Sequence, residues 1–284
     1  MAKILIAGCG SIGCQLAQAL TQQRHQVTAM RRNTQKVPAN IQAIAQDLTQ
    51  PLPKLAQFDY VFYTASAGKY QDLAYYQAYV QGIQNLIQAL KTPPLSPPKH
   101  LFFTSSTSVF GQNQGEWVTE TSNTTENSFA TRRLLQGETL LQESGLKTTI
   151  IRLGGIYGPG RTHLLDLVST GKAHCMEGIY SNRIHSEDVV GVLQHLMQLH
   201  QKGQTLEPLY IAVDDQPTLI CEIYDWLAEQ LNVGELERLQ PSETSRQLRS
   251  NKRLSNAKLK ATGYHFQYPN YQAGYKILLS KNDN

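Results

Sequence analysis

The chain of 284 residues has no long hydrophobic run and no concentration of charge of one sign. No apolar stretch approaches the ~20 residues of a membrane-spanning helix, so we expect no transmembrane segment and no membrane partner. Charged residues make up 17% of the chain, and the net charge of +4 is spread along it. Because a nucleic-acid interface needs clustered basic residues, we expect no nucleic-acid partner. The short, glycine-interrupted apolar segment at the N-terminus does not fit a signal peptide.

Cysteine is scarce, and the spacing of the cysteines indicates no framework of metal ligands or disulfides. The four cysteines, Cys9, Cys14, Cys175 and Cys221, show neither the spacing of metal ligands nor the density of a disulfide-rich domain. We therefore expect four reduced thiols, no metal site and a cytoplasmic protein.

The chain does contain an alternation of apolar strands with amphipathic helices. Predicted strands are Lys3–Ala7, Gln26–Met30, Tyr60–Thr64, His100–Ser105 and Thr148–Leu153, and predicted helices lie near Cys14–Gln23, Tyr75–Leu90 and Arg132–Ser144. Such alternation predicts a parallel, doubly wound sheet with helices on both faces. After Gly160 the pattern changes to helices near Leu164–Thr170, Asp188–His200 and Ile220–Leu231, with a short strand near Leu209–Val213. This second part predicts a smaller mixed α/β lobe.

The first strand runs directly into a Gly-x-Gly-x-x-Gly motif that opens a helix. Gly8 allows the tight turn, Gly10 leaves room for a pyrophosphate, and Gly13 lets the helix lie close to the strand. The helix N-terminus directs N–H groups and partial positive charge toward phosphates. Because the motif follows a strand and precedes a helix, it predicts a Rossmann-like dinucleotide site rather than a plain turn.

No carboxylate follows the second strand, where NAD-preferring proteins hold the ribose hydroxyls. Arg31 and Arg32 stand there instead, and guanidinium groups suit a 2′-phosphate. The sequence therefore favours NADP(H) as cofactor, with NAD(H) as the alternative and a solvated basic turn as the non-functional interpretation. Asp47, after a predicted third strand, either contacts the adenine or serves as a turn residue.

Several further motifs occur in order along the chain. They are Asp47-Leu48, the segment from Val80 to Leu86, the segment from Ser105 to Gly111, the segment from Arg152 to Gly160, the segment from Asn182 to Asp188, and Asn251-Lys252-Arg253 with Asn256. With the glycine motif they resemble the extended short-chain dehydrogenase/reductase superfamily, in its NAD-dependent epimerase/dehydratase family, and most of all an atypical YeeZ-like branch. The resemblance covers nearly the whole chain. It implies a homodimer through the helices near Tyr75–Leu90 and Arg132–Ser144.

The chain departs from this family at the catalytic Tyr-x-x-x-Lys pair. Phe129 and Arg133 keep the spacing of that pair, whereas counting back from Glu138 gives Ala130 and Leu134. Neither alignment supplies a phenol, and an arginine stays charged at working pH, so the usual proton relay is absent. By the resemblance, Ser106 takes the Ser/Thr role. Tyr157, His185 and Glu120 are the candidates for a replacement proton donor. Each of them also has a structural interpretation.

From these arguments we assign roles to individual residues. The catalytic candidates are Ser106, Tyr157 and Arg133; the cofactor candidates are Gly8, Gly10, Ser11, Ile12, Gly13, Arg31, Arg32, Asp47, Leu48, Ala65 and Ser105; the substrate candidates are Arg161, Arg183 and His185. We expect an NAD(P)-binding domain over residues 1–160 and a smaller substrate-binding lobe over 161–284, interleaved in one compact unit.

Two functions fit this sequence. The first is an NAD(P)-dependent oxidoreductase or epimerase/dehydratase acting on a small polar or sugar-nucleotide-like molecule. The second is a non-catalytic NADP(H)-binding protein that senses redox state or regulates a partner. The retained Ser106 strand favours the first, and the missing tyrosine favours the second. The basic residues Lys252, Arg253 and Lys258 either bind a substrate phosphate or form a solvated surface.

Overall fold

The computed structural model describes residues 1–240 and 250–280. Its helices are α1 (Ser11–Gln22), α2 (Asp72–Tyr76), α3 (Gly82–Lys91), α4 (Phe129–Glu143), α5 (His163–Ser169), α6 (Ser186–Gln201), α7 (Ile220–Gln230), α8 (Ala257–Lys260) and α9 (Tyr271–Ser280). A π-helical turn, Gln77–Gln81, joins α2 to α3. The strands are β1 (Lys3–Ala7), β2 (Gln26–Arg31), β3 (Gln42–Ala45), β4 (Tyr60–Tyr63), β5 (His100–Ser106), β6 (Glu116–Val118), β7 (Thr148–Leu153), β8 (Gly155–Tyr157), β9 (His174–Met176), β10 (Tyr180–Ser181), β11 (Arg183–His185), β12 (Leu209–Ala212), β13 (Thr218–Leu219), β14 (Glu237–Leu239) and β15 (Lys252–Leu254).

A mainly parallel sheet of seven strands, in the order β12-β7-β5-β4-β1-β2-β3, organises the chain. Pairing is parallel between β1 and β2, β1 and β4, β2 and β3, and β4 and β5. Strands β1 and β4 are almost completely buried, as expected for a parallel sheet covered by helices on both faces. This is the predicted Rossmann-like α/β fold.

The strand order reverses between β1 and β4, which are neighbours in the sheet but not in the sequence. In open α/β sheets, ligands bind at such a switch point, outside the carboxyl ends of the strands. The glycine motif lies at that end of β1, so the topology places it where a ligand is expected.

The chain divides into two compact units that differ from the two predicted halves. The first comprises residues 1–109, 125–152 and 190–210, and the second comprises 110–124, 153–189 and 211–284. The core of the first unit includes Leu5, Val61, Leu86, Phe103 and Ile150. A cluster in the second unit gathers side chains of α5, α7 and α9, among them Leu165, Leu227 and Tyr275.

The five predicted strands of the first half all form, with ends shifted by at most one residue. The predicted helices also form, although α1 begins at Ser11 and α4 begins at Phe129, three residues earlier than predicted in each case. The assignment of the Leu209–Val213 strand to the smaller lobe was wrong, because β12 is an edge strand of the main sheet. A single short strand carries no sequence mark of the sheet that it joins.

The expectation of four reduced thiols was also wrong for two of them. Cys175 on β9 and Cys221 on α7 form a disulfide with their Cα atoms 5.0 Å apart, within the usual range. The two residues are 46 positions apart in the sequence, and only the packing of α7 against β9 brings them together. Cys9 and Cys14 are free thiols.

Among residues 1–240 and 250–280, no helix is long and apolar enough to cross a membrane.

Candidate functional site

The glycine loop has the geometry that a phosphate-binding turn requires. Gly8 has φ +82°, and a Cβ there would overlap Ala65, so only glycine fits. A Cβ on Gly10 would meet nothing closer than Gly8 O at 3.9 Å, which leaves open space above this residue. A Cβ on Gly13 would lie 2.8 Å from Thr64 Oγ1, so the third glycine allows α1 to pack closely against β4.

The loop is fixed to the neighbouring strand by backbone hydrogen bonds. The N–H groups of Gly8 and Cys9 both donate to Met30 O at 3.0 Å. Gly10 occupies the N-cap position of α1, and no side chain caps this helix. The first N–H groups of a helix have no intrahelical acceptor, so those of Ser11, Ile12 and neighbouring residues form the kind of helix N-terminus at which anions bind.

A cavity of about 710 Å³ lies against this loop, within the first unit. Its volume falls in the range of small-molecule sites. Seven of the predicted cofactor residues line it: Gly8, Gly10, Arg31, Arg32, Asp47, Leu48 and Ala65. Ser11, Ile12, Gly13 and Ser105 lie outside its lining.

The basic end of the cavity is formed by the two arginines after β2. Arg31 is half-buried, and its guanidinium donates to Cys14 Sγ at 3.8 Å. The Arg32 side chain is 80% exposed and lies 3.9 Å from the Asp47 carboxylate. Asp47 also accepts a hydrogen bond from Thr49 N at 3.0 Å, the geometry of an Asx turn. Two positive charges therefore face the cavity, and a single carboxylate partly offsets one of them.

Sequence reasoning missed most of a second wall of the cavity, from which it had named only Ala65. That wall is formed by the segment after β4 and the start of the following helix, including Thr64, Ser66, Ala67, Gly68, Lys69, Gln71, Leu73, Ala74, Gln77 and Ala78. Thr64 Oγ1 donates to Gly8 O at 3.1 Å and so joins this wall to the loop. The available signal was the polar run directly after an apolar strand, since such a run marks the carboxyl end of a strand in a parallel sheet.

Ser105 and Ser106 end strand β5 but have different surroundings. Ser105 is buried, and its hydroxyl donates to Glu138 Oε1 at 2.5 Å. Ser106 is half-buried, and its Oγ donates to Ser108 Oγ at 3.0 Å and accepts from Ser108 N at 3.2 Å. Ser105 thus belongs to a buried polar group, whereas Ser106 takes part in a local turn.

The positions of the family's Tyr–Lys pair hold an aromatic cluster and an ion pair. The Phe129 ring lies 4.8 Å from the Tyr70 ring and 5.6 Å from the Tyr75 ring, measured between centroids. Arg133 makes a bidentate ion pair with Asp72, at 2.7 and 3.0 Å, and stacks over the Tyr76 ring. The Arg133 side chain is therefore held by its ion pair with Asp72 of α2, and its charge stabilises the packing of α4 against α2.

Tyr157 lies inside the second unit and is almost fully buried. Its hydroxyl donates to Asn270 O at 3.3 Å, and its ring stacks on Tyr275 with a centroid separation of 4.7 Å. A Cβ on Gly274 would overlap the Tyr157 ring, so α9 packs directly on this phenol. Burial, with Asp214 nearby, raises the pKa of Tyr157 far above its usual value, which makes proton release harder.

The three predicted substrate residues also lie in the second unit. His185 is buried, its Nδ1 accepts from Glu187 N at 3.3 Å, and its ring lies 3.9 Å from the Tyr268 ring. Arg161 and Arg183 are half-buried, and the buried Nε of each has no hydrogen-bond partner among the described residues. Each of these Nε–H groups is thus a donor that the described residues leave unused.

Two other candidates have structural partners within the second unit. Glu120 accepts from Ile211 N at 2.9 Å, which fixes it to β12. Lys252 is buried, and its ammonium donates to Phe110 O at 2.9 Å. Burial lowers the pKa of Lys252 to about 8.

Comparison with known proteins agrees with this geometry. The family model of the NAD dependent epimerase/dehydratase family matches residues 4–211. Protein YeeZ of Escherichia coli K12 is 28% identical over 215 residues, which cover 72% of this chain and 76% of that protein. A solved structure from Methylobacillus flagellatus, assigned to the NAD-dependent epimerases/dehydratases, is 34% identical and covers 100% of this chain and 99% of its own, with a TM-score of 0.83.

A further solved structure, of human epimerase family protein SDR39U1 with NADPH, is 19% identical and has a TM-score of 0.77. It covers 98% of this chain and 99% of its own, and at this identity it supports the fold alone. Because the family model spans well over half of the sequence, the family is established. This chain belongs to the NAD dependent epimerase/dehydratase family.

Proposed function

We propose that this protein binds NADP(H) in the cavity beside the glycine loop. The proposal rests on the observation that Gly10 and Arg31 line the same cavity in the first unit. The open space above Gly10 admits a pyrophosphate close to the backbone, which a side chain would prevent. The cavity volume and the helix N-terminus fit the same ligand.

The preference for NADP(H) rests on charge at the end of β2. A 2′-phosphate carries negative charge that a guanidinium binds through two parallel hydrogen bonds. Arg31 and Arg32 both line the cavity, and Arg31 is half-buried, where water screens its charge less.

A titration of NADPH, NADP⁺, NADH and NAD⁺ tests the proposal. We expect the NADP forms to bind at least about tenfold more tightly than the NAD forms, since a charged hydrogen-bond pair contributes about 1.5–3 kcal/mol. In Arg31→Asp that preference should be lost or reversed. Lys54→Asp provides the control, because it makes the same charge change at an exposed residue outside the cavity lining. Equal loss in both variants, or no dinucleotide binding at all, contradicts the assignment.

For the reaction we favour oxidoreduction or epimerisation of a small polar or sugar-nucleotide-like molecule. A bound nicotinamide supplies a hydride donor or acceptor. Ser106 is the hydroxyl that would orient the reacting group, as the family resemblance implies. The unpartnered Nε atoms of Arg161 and Arg183 suit an anionic substrate such as a nucleoside diphosphate.

A second candidate function has its own support. Phe129 has no ionisable group, and Arg133 is held by Asp72, so the positions of the family's proton relay hold no acid or base. This favours a protein that binds NADP(H) and reports its level without turnover.

One assay separates the two functions. Enzyme with NADPH is mixed with a panel of keto sugars and sugar nucleotides, and the loss of NADPH absorbance is followed. Turnover that falls in Ser106→Ala but persists in Ser108→Ala supports the enzyme, since both serines lie in the same turn. Epimerisation leaves the cofactor unchanged overall, so the sugars are also separated by chromatography after incubation with NADP⁺ or NADPH. Tight NADPH binding with neither an absorbance change nor an epimerised sugar across the panel supports the sensor.

A further inference from the structure

Two free thiols lie in direct contact at the glycine loop. Cys9, between the first two glycines, and Cys14, in the first turns of α1, have their sulfur atoms 3.5 Å apart. A disulfide bond is about 2.05 Å long, so roughly 1.5 Å of side-chain movement separates this contact from a covalent bond. The pair is separate from the Cys175–Cys221 disulfide of the second unit.

The surroundings give the two sulfurs different roles. Cys14 is half-buried, and the Arg31 guanidinium donates to its sulfur at 3.8 Å. Cys9 is fully buried, and burial together with the Cys14 sulfur raises the pKa of its thiol. Cys14 is therefore the accessible sulfur with a positive charge beside it, and Cys9 is the sheltered partner.

We propose that Cys9 and Cys14 form a redox-active dithiol that a low-molecular-weight disulfide oxidises to an intraloop disulfide. The Cys14 thiolate attacks one sulfur of the external disulfide, and the other sulfur leaves as a thiolate. Cys9 then loses its proton and attacks the Cys14 sulfur, which releases the second external thiolate. The protein loses two electrons and two protons, and one external disulfide becomes two thiols.

The proposal extends to cofactor binding, and this part rests on the proposed function. Cys9 lines the same cavity as Gly10 and Arg31. The N–H groups of Gly8 and Cys9 are bonded to Met30 O, so drawing the Cys9 side chain toward α1 strains or shifts the loop. Oxidation also removes the thiol that Arg31 contacts. We therefore expect the disulfide to weaken dinucleotide binding.

Peptide mapping of the whole protein tests the thiol reaction directly. The protein is mildly reduced, freed of reductant and incubated with oxidised glutathione. It is then unfolded in urea in the presence of the alkylating reagent, so that buried Cys9 is reached as well, and digested with trypsin. Residues 4–24 form one tryptic peptide that contains Cys9 and Cys14 but neither Cys175 nor Cys221. We expect this peptide to escape alkylation at both cysteines and to carry no glutathione. A peptide that is still alkylated at both positions, or that stops at a glutathione adduct, overturns the proposal.

Two variants separate the roles of the sulfurs. Cys9→Ser should leave one glutathione on Cys14, because the resolving thiol is gone. Cys14→Ser should leave Cys9 unreacted and open to alkylation after unfolding, because Cys9 is buried. The reverse pattern contradicts the assigned order of attack. If the circular dichroism spectrum shows that either variant is unfolded, the peptide map of the wild-type protein alone tests the proposal.

An NADPH titration then tests the link to the cofactor. Oxidised wild-type protein should bind NADPH at least about fivefold more weakly than Cys14→Ser treated in the same way, the lower end of a typical coupling. Unchanged affinity with the disulfide formed overturns the link. Failure of the reduced protein to bind NADPH counts against the proposed function instead, while the peptide map still decides the thiol reaction.

Discussion

At the scale of single residues, the glycines of the phosphate loop differ in what they do. Gly8 needs its left-handed backbone and has no room for a side chain. Gly10 has φ −81°, and a Cβ attached to it would stand in open space. Neither the backbone conformation nor the packing at this position therefore requires glycine. Under the proposed function, a bound pyrophosphate accounts for the missing side chain at Gly10.

Gly10→Ala tests this distinction. We expect its free energy of unfolding to fall by no more than about 1 kcal/mol, since alanine is a poorer N-cap than glycine but its methyl group meets no clash here. Its affinity for NADPH should fall at least about tenfold, because the methyl group enters the space for the pyrophosphate. Isothermal calorimetry and urea unfolding measure the two quantities. Gly8→Ala, in contrast, should destabilise the fold by more than about 1 kcal/mol; an equally large destabilisation by Gly10→Ala would show that Gly10 is structural.

Part of the candidate site could be predicted at this scale. The glycine loop and the two arginines follow from local sequence, because strand, turn and helix are consecutive there. The wall after β4, with Lys69 and Gln71, has only a weak local signal, the polar run that follows an apolar strand. This segment reaches the loop through the pairing of β4 with β1. The sequence places Cys9 and Cys14 five positions apart without indicating a pair, because their sulfur–sulfur contact depends on how Cys9 turns in the loop.

At the scale of elements, α4 is joined to the sheet by a buried charge network. Glu138 accepts from Arg152 Nε at 3.1 Å and from a terminal guanidinium nitrogen at 2.6 Å, and it also binds Ser105. Glu138 is 3% exposed and Arg152 is 6% exposed. A buried ion pair contributes little over an apolar pair, but removing one partner leaves a buried charge without compensation.

Glu138→Ala should therefore destabilise the protein by about 3–5 kcal/mol, as measured by urea unfolding. Glu143→Ala, at the exposed end of the same helix, should change stability by less than about 0.5 kcal/mol. The double variant Glu138→Met, Arg152→Met should recover much of the lost stability. A loss in Glu138→Ala no larger than that in Glu143→Ala would mean that the network does not hold α4.

The sequence predicted the long elements because each carries its own pattern. Buried parallel strands such as β1 and β4 are continuous apolar runs, and α4 has a serine N-cap whose Oγ accepts from Thr131 N at 3.1 Å. The two- and three-residue strands of the second unit, such as β10 and β13, have no such pattern, since only their partners define them.

The homodimer expected through the helices near Tyr75–Leu90 and Arg132–Ser144 stays a prediction.

At the scale of the whole molecule, the pH dependence of stability reflects groups that are buried in their neutral form. His100 lies at the start of β5, and its Nε2 and Thr149 Oγ1 are 2.9 Å apart. Its ring is 4.7 Å from that of His200, which in turn lies 3.1 Å from the Tyr60 hydroxyl through its Nδ1. Burial, with the positive charges of His200 and Lys147, lowers the pKa of His100 to about 4.

The sign of the effect follows from this lowered pKa. The unfolded chain takes up a proton at His100 near pH 6.5, whereas the folded chain resists protonation until about pH 4. Stability contributed by the neutral ring is therefore complete above pH 6.5 and is lost progressively as the pH falls to about 4. A shift of this size corresponds to at most about 3 kcal/mol.

His100→Gln removes this titration while keeping a hydrogen-bonding side chain beside Thr149. We expect the variant to be less stable than the wild type at pH 7.5, because an amide fills the ring's space poorly, and to lose less stability between pH 6.5 and pH 4.5. The free energy of unfolding in urea across this range measures the difference in slope. His265→Gln, at an exposed histidine, should keep the wild-type slope. If His100→Gln keeps it as well, proton uptake by His100 does not govern the acid sensitivity of the fold, and the carboxylates that titrate in the same range do.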